Sequence, residues 1–151
     1  MTQTHFEKLG EAGRNRYLIA GGILSLMASV LHLVCIVGGP DWYRFLGAGE
    51  EMAQMAERGE IYPAVLTFLI AAVLFVWALY AFSGAGLIRK LPFLKTGLTI
   101  ISAIYLLRGL ALVPGYIFVP DLVTPFLVWS SLISGVYGIC YAVGTMQVWR
   151  D

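Results

Sequence analysis

The chain has 151 residues, 59% of them hydrophobic and 13% charged, with a mean hydropathy of +0.80 and a net charge of +1. Soluble domains run at about 45–50% apolar and about 25% charged, so this composition is that of a membrane protein, and its length suits one compact unit. The near-neutral balance excludes a nucleic-acid or strongly acidic partner, and two cysteines in apolar runs, Cys35 and Cys140, make neither a disulfide framework nor a metal motif.

Residues 1–16 are polar and carry His5, Lys8, Arg14 and Arg16, which reads as a short cytoplasmic segment with His5 solvated. Residues 17–38 contain no full charge and are long enough to span a ~30 Å hydrocarbon core. A cleaved signal peptide is the rival reading of this run. The run is too long for one, no small-x-small cleavage site follows, and Val34 is too bulky to precede a lipidated Cys35. One face of this span carries Gly21, Ser25, Ala28, Ser29, His32, Cys35 and Gly39, and small residues let helices approach closely in lipid. The opposite face, Ile23, Met27, Val30, Val34 and Val37, suits lipid.

Residues 39–60 form a long loop with Asp41, Glu50, Glu51, Glu57 and Glu60 against Arg44 and Arg58. Asp41 is placed to cap a short turn through Trp42, Tyr43 and Phe45, aromatics suited to the membrane–water interface. Glu50 to Arg58 reads as a short amphipathic helix with Met52, Met55 and Ala56 on one side and Gly59 as its stop. The loop is either a solvated amphipathic segment or a lid that turns one glutamate inward.

Residues 61–82 are the second span, with Pro63 in its first turn. A basic turn with Arg89, Lys90 and Lys95 leads to the third span, residues 97–114. Residues 115–121 read as a tight turn ending in Asp121. Residues 122–149 are the fourth span, whose small face is Ser131, Ser134, Gly135, Gly138 and Ala142. The predicted fold is therefore all-α, one bundle of four transmembrane helices with a short amphipathic helix in the first loop. Basic residues cluster in the amino-terminal segment, the second loop and the tail, which by the positive-inside rule predicts both termini in the cytoplasm and the acidic first loop outside.

Arg108 stands inside the third span, and it is the one full charge in any span. A charge in hydrocarbon costs at least a few kcal/mol and seldom persists without a partner or a function. Counting at helical rise puts His32 ~9 Å below the outer surface, with Arg108, Thr67, Ser130 and Ser131 at a similar depth. Tyr105 lies one turn before Arg108. No span carries an acid, so the expected internal partner is Glu50 or Glu51, with Asp121 behind them.

Three readings stay open. One is an Arg–Glu pair that pins the loop to the bundle, as in a purely structural subunit of a membrane complex. Another is an outward-facing polar pocket where Arg108 and His32 receive an anion such as a lipid phosphate, a fatty carboxylate or a quinone oxygen. The third is an enzyme with His32 as general acid or base. His32 and Cys35 are too few for a closed metal site, one intramembrane histidine would leave haem a single axial ligand, and the 8 Tyr, 8 Phe and 4 Trp need no cofactor. Membrane lipids, a hydrophobic or anionic ligand, and copies of this chain or a larger membrane complex are the expected partners.

The runs HLVCIVGGPDWYRFLGAGEEMAQ and LPFLKTGLTIISAIYLLRGL resemble a group of small bacterial inner-membrane proteins. In size and span count the chain is similar to DoxX-like four-helix membrane proteins. The resemblance implies a bacterial inner membrane and four helices, and it brings no catalytic residues with it.

Overall fold

In lipid every backbone polar group has to be satisfied within its own segment, and the four apolar runs accordingly fold as helices. The computed structural model describes residues 14–150; the amino-terminal segment with His5 and Lys8, and Asp151, lie outside them. The described elements are α1 (Arg16–Gly38), α2 (Pro40–Phe45), α3 (Glu50–Glu57), α4 (Tyr62–Gly84), α5 (Leu94–Leu110), α6 (Leu112–Phe118), a 3₁₀ turn (Pro120–Leu122) and α7 (Pro125–Arg150). Four helical stretches are long and apolar enough to cross a membrane: α1, α4, α5 with α6, and α7. Among the described residues there is no strand.

Local chemistry fixes the helix ends. Asn15 caps α1 by accepting the Leu18 N–H at 3.1 Å, and its amide donates to the Gly144 carbonyl of α7 at 2.7 Å. One residue thus starts the first helix and ties it to the last. Thr124 caps α7 through the Leu127 N–H at 3.2 Å, and Pro125 follows in the first turn. The third span differs from its sequence reading. It begins earlier, at Leu94, and the expected turn at 115–121 is instead helical to Phe118. Pro114 lacks an N–H for the Leu110 carbonyl and its ring crowds that carbonyl, so the ladder breaks at Ala111 and restarts rather than ending.

The loop also departs from expectation at Asp41. Its carboxylate caps nothing; Gly39 is the N-cap of α2, and Asp41 stands in solvent in the first turn. Tyr43 is buried rather than interfacial, packing with Cys35 and Ala53 beneath the loop. The expected helix stop at Gly59 is present. At φ 73° it lets the Gly59 N–H reach Ala56 and the Glu60 N–H reach Met55, closing the end of α3. Gly47 closes α2 in the same way at φ 72°, and a Cβ there would meet the Phe126 ring at the start of α7. The stretch

The four spans are arranged as two close pairs, α1 on α4 and α5 on α7. The small faces lie inside as expected. Gly21, Ser25, Ser29 and Cys35 are buried, while Ile23, Met27, Val30, Val34 and Val37 are exposed. Hydrocarbon tails are as apolar as leucine, so the pairs need packing and hydrogen bonds rather than a hydrophobic drive. A core of Leu18, Ala81, Ala85, Leu98, Ile101, Tyr105 and Tyr141 fills the end that carries Lys95 and Arg150.

Tyrosines join the pairs. Tyr141 donates its O–H to the Trp77 carbonyl at 3.0 Å, so at 2.9 Å from Ser25 it accepts, and Ser25 is the donor. Ser25 then accepts from Tyr105 at 3.0 Å. The resulting chain, Tyr105 to Ser25 to Tyr141 to Trp77, runs in one direction and touches all four spans. Trp77 and Tyr137 pack edge-on against the Tyr105 ring, with centroids at 4.8 and 5.3 Å.

Candidate functional site

The expected site is built around Arg108, and its position follows from a backbone contact. A Cβ at Gly109 would lie 2.8 Å from Gly135 Cα and 2.9 Å from its nitrogen. Glycine therefore lets α5 and α7 cross almost backbone to backbone. That crossing sets the Arg108 side chain directly against the first turns of α7. Nη1 donates to Ser131 Oγ at 2.7 Å and Nη2 to Ser130 Oγ at 2.9 Å.

Ser131 is 1% exposed. Ser130 is oriented by its own bond to the Leu127 carbonyl at 3.2 Å, which leaves its lone pairs for Arg108. The two adjacent hydroxyls hold the guanidinium like the prongs of a fork.

The expected partner is corrected by this geometry. Neither Glu50 nor Glu51 reaches Arg108, and among the described residues no carboxylate lies within 4.0 Å of it. Glu50 is engaged by Arg44 instead, accepting from Nε at 2.9 Å and from Nη2 at 2.8 Å. Arg44 also contacts Glu57 at 2.8 Å and Asp41 at 3.6 Å, so it locks α2 to α3. Glu51 is exposed at the start of α3. Asp121 is exposed in the turn before α7.

The hydrogen bonds from Arg44 hold the Glu50 carboxyl below the usual glutamate range and push the Arg44 guanidinium up. A carboxyl depressed on folding contributes its full stabilisation above its ordinary titration range and loses it as pH falls through the depressed value. Hydrogen exchange of α2 and α3 is therefore expected to stay constant from neutrality through that ordinary range and to rise only below it. Loop opening that begins near neutral pH would contradict the Arg44–Glu50 lock.

The remaining expected site residues are placed apart from Arg108. His32 is half-buried, and its Nδ1 donates to the Ala28 carbonyl of its own helix at 2.7 Å. A catalytic imidazole is oriented by a third group, and here the orienting atom is a helix carbonyl rather than a carboxylate. Thr67 is 6% exposed within α4. Tyr105 turns away from Arg108 and heads the hydroxyl chain. Among the described residues no group of three His, Cys, Asp or Glu could hold a metal.

Two features escape sequence reasoning. One is the hydroxyl chain, since tyrosine and serine read as apolar and small in a membrane pattern. The other is Tyr43, 2% exposed, whose hydroxyl is the one buried side-chain oxygen or nitrogen without a hydrogen-bond partner among the described residues. Compared with known protein families, with curated proteins and with solved structures, the chain matches none. Fold and site geometry define it as a multi-pass membrane protein with an intramembrane arginine seated on two serines.

Proposed function

We propose that this protein binds an anionic, lipid-like small molecule at Arg108, as a binding or accessory protein of the bacterial inner membrane. The observation that supports the reading is the pairing of a full charge with neutral hydroxyls. Serine oxygens orient a guanidinium but do not neutralise it, and a guanidinium keeps its charge. Its Nε–H and the outer N–H of each terminal nitrogen have no acceptor among the described residues. These donors suit a carboxylate or phosphate in the bidentate manner common to arginine. An amphiphile supplies such an anion from the bilayer.

The test is calorimetric titration of oleate and dodecyl phosphate, against uncharged dodecanol, in a neutral detergent. The anionic amphiphiles are expected to bind more tightly than dodecanol, and Arg108→Met to weaken them by about tenfold or more. Equal affinities for charged and uncharged amphiphiles would overturn the reading.

The site opens on the side of the acidic first loop. The distribution of basic residues supports that side as the exterior, with both termini in the cytoplasm. Single cysteines placed at 48–58 are expected to react with an impermeant thiol reagent on spheroplasts, and those at 86–95 to stay protected. The reverse pattern would move the site to the cytoplasmic side.

A further inference from the structure

At the opposite end of the bundle, α5 and α7 leave a groove of about 540 Å³ on their outer side. Its size falls in the range of about 300–1,000 Å³ typical of ligand clefts. The walls come from these two helices alone. Ala103, Leu106, Ala142 and Met146 make it apolar, and small side chains at its base make it deep. The base itself is chemically quiet: Ser102 Oγ donates to the Leu98 carbonyl at 2.7 Å and meets Thr145 Oγ1 at 3.2 Å. Such a groove has no polar group waiting for a water-soluble ligand, and it faces the hydrocarbon.

The mouth differs from the walls. Trp149 Nε1 donates to Thr99 Oγ1 at 3.3 Å, which fixes the indole across the rim. Lys95 Nζ lies 5.4 Å from the centre of that ring, within cation–π reach, and Arg150 stands beside it at the end of α7. Described acids lie elsewhere: Asp41, Glu50, Glu51, Glu57 and Glu60 in the first loop and Asp121 before α7. An apolar slot open to the bilayer beneath two cations and an interfacial tryptophan has the charge and polarity of one kind of occupant.

We propose that the α5–α7 groove is a binding site for an anionic phospholipid, with an acyl chain along Ala103, Leu106, Ala142 and Met146 and the headgroup phosphate between Lys95 and Arg150. Trp149 is a positioning residue that holds Lys95 over the mouth. The site is separate from Arg108 and does not depend on what binds there.

The experiment uses the full chain in phosphatidylcholine vesicles doped with phosphatidylglycerol, one of the two lipids carrying brominated acyl chains. Bromine quenches tryptophan at contact, and the Trp149 share of the signal is what Trp149→Phe removes. Brominated phosphatidylglycerol is expected to quench Trp149 more than an equal fraction of brominated phosphatidylcholine. Lys95→Gln and Arg150→Gln are each expected to lower that preference by about fivefold, while Arg108→Met leaves it unchanged. Ala142→Phe fills the groove and is expected to abolish contact quenching; should it fail to fold, the two exposed charge variants decide. Equal quenching by both lipids, a preference that survives removal of both cations, or its loss in Arg108→Met would each overturn the site. Soluble glycerol phosphate is expected not to compete, and competition by it would overturn the phospholipid as occupant.

Discussion

Gly109→Ala is expected to destabilise the protein by about 1–2 kcal/mol and to release whatever Arg108 holds, whereas Gly135→Ala, at the same crossing, is expected to be tolerated. The asymmetry comes from what each new methyl group would meet. At Gly109 it runs into the backbone of Gly135, at 2.8 and 2.9 Å, and into the Ser131 carbonyl at 3.3 Å. Backbone cannot rotate aside, so α5 and α7 must separate, and overpacking of this kind costs about 1–3 kcal/mol. Alanine regains up to ~1 kcal/mol of helix propensity, which offsets part of the loss. At Gly135 a Cβ meets nothing within 4 Å, so only the propensity gain remains. Separation of the helices also draws Arg108 from Ser130 and Ser131, so affinity for an anionic amphiphile falls with stability. Unfolding in detergent and amphiphile titration on both variants check this. Equal effects at the two glycines would mean that the crossing does not set the site.

The spans, the loop helix and the inward faces were legible because each follows from one local rule. Uncharged runs of the right length must be helices in lipid, small residues gather where helices meet, and Gly59 ends a helix by its left-handed backbone. Arg108 was legible as the position around which a site forms, but its partner was not. Charge matching pointed to Glu50, yet Arg44 lies on the adjoining short helix, and an ion pair that closes a short loop gives up little chain entropy. That local lock forms in water, whereas folding Glu50 down to Arg108 would strip a carboxylate of solvent.

Tyr105 went astray for a different reason. One turn along a helix is not a whole number of residues, so its ring leads to Ser25 rather than alongside Arg108. The hydroxyl chain as a whole depends on which helices are neighbours, and no periodicity records that. Pro114 was read as a terminator, and its effect is instead a break that the chain continues past.

Arg108→Met is expected to leave folding stability unchanged or raised, although it removes two hydrogen bonds. An arginine at membrane depth carries a desolvation cost of at least ~2.5 kcal/mol, and the serine hydroxyls do not neutralise it. Methionine of similar length lifts that cost. Ser131→Ala should behave in the opposite way. It strips a donor of its acceptor beside a 1% exposed position and is expected to cost about 1–3 kcal/mol while Arg108 is present. In the Arg108→Met background the same serine change is expected to cost little, so the cycle shows strong coupling, of the order of 1–3 kcal/mol. Glu50→Gln combined with Arg108→Met is expected to be additive within ~0.5 kcal/mol, because Glu50 belongs to Arg44. The cycle is read by unfolding in detergent stripped of anionic lipid. A residue kept at a cost to stability is one retained for binding. If Arg108→Met instead unfolds the protein even without ligand, Arg108 is a structural strut between α5 and α7, and the anion is not what it holds.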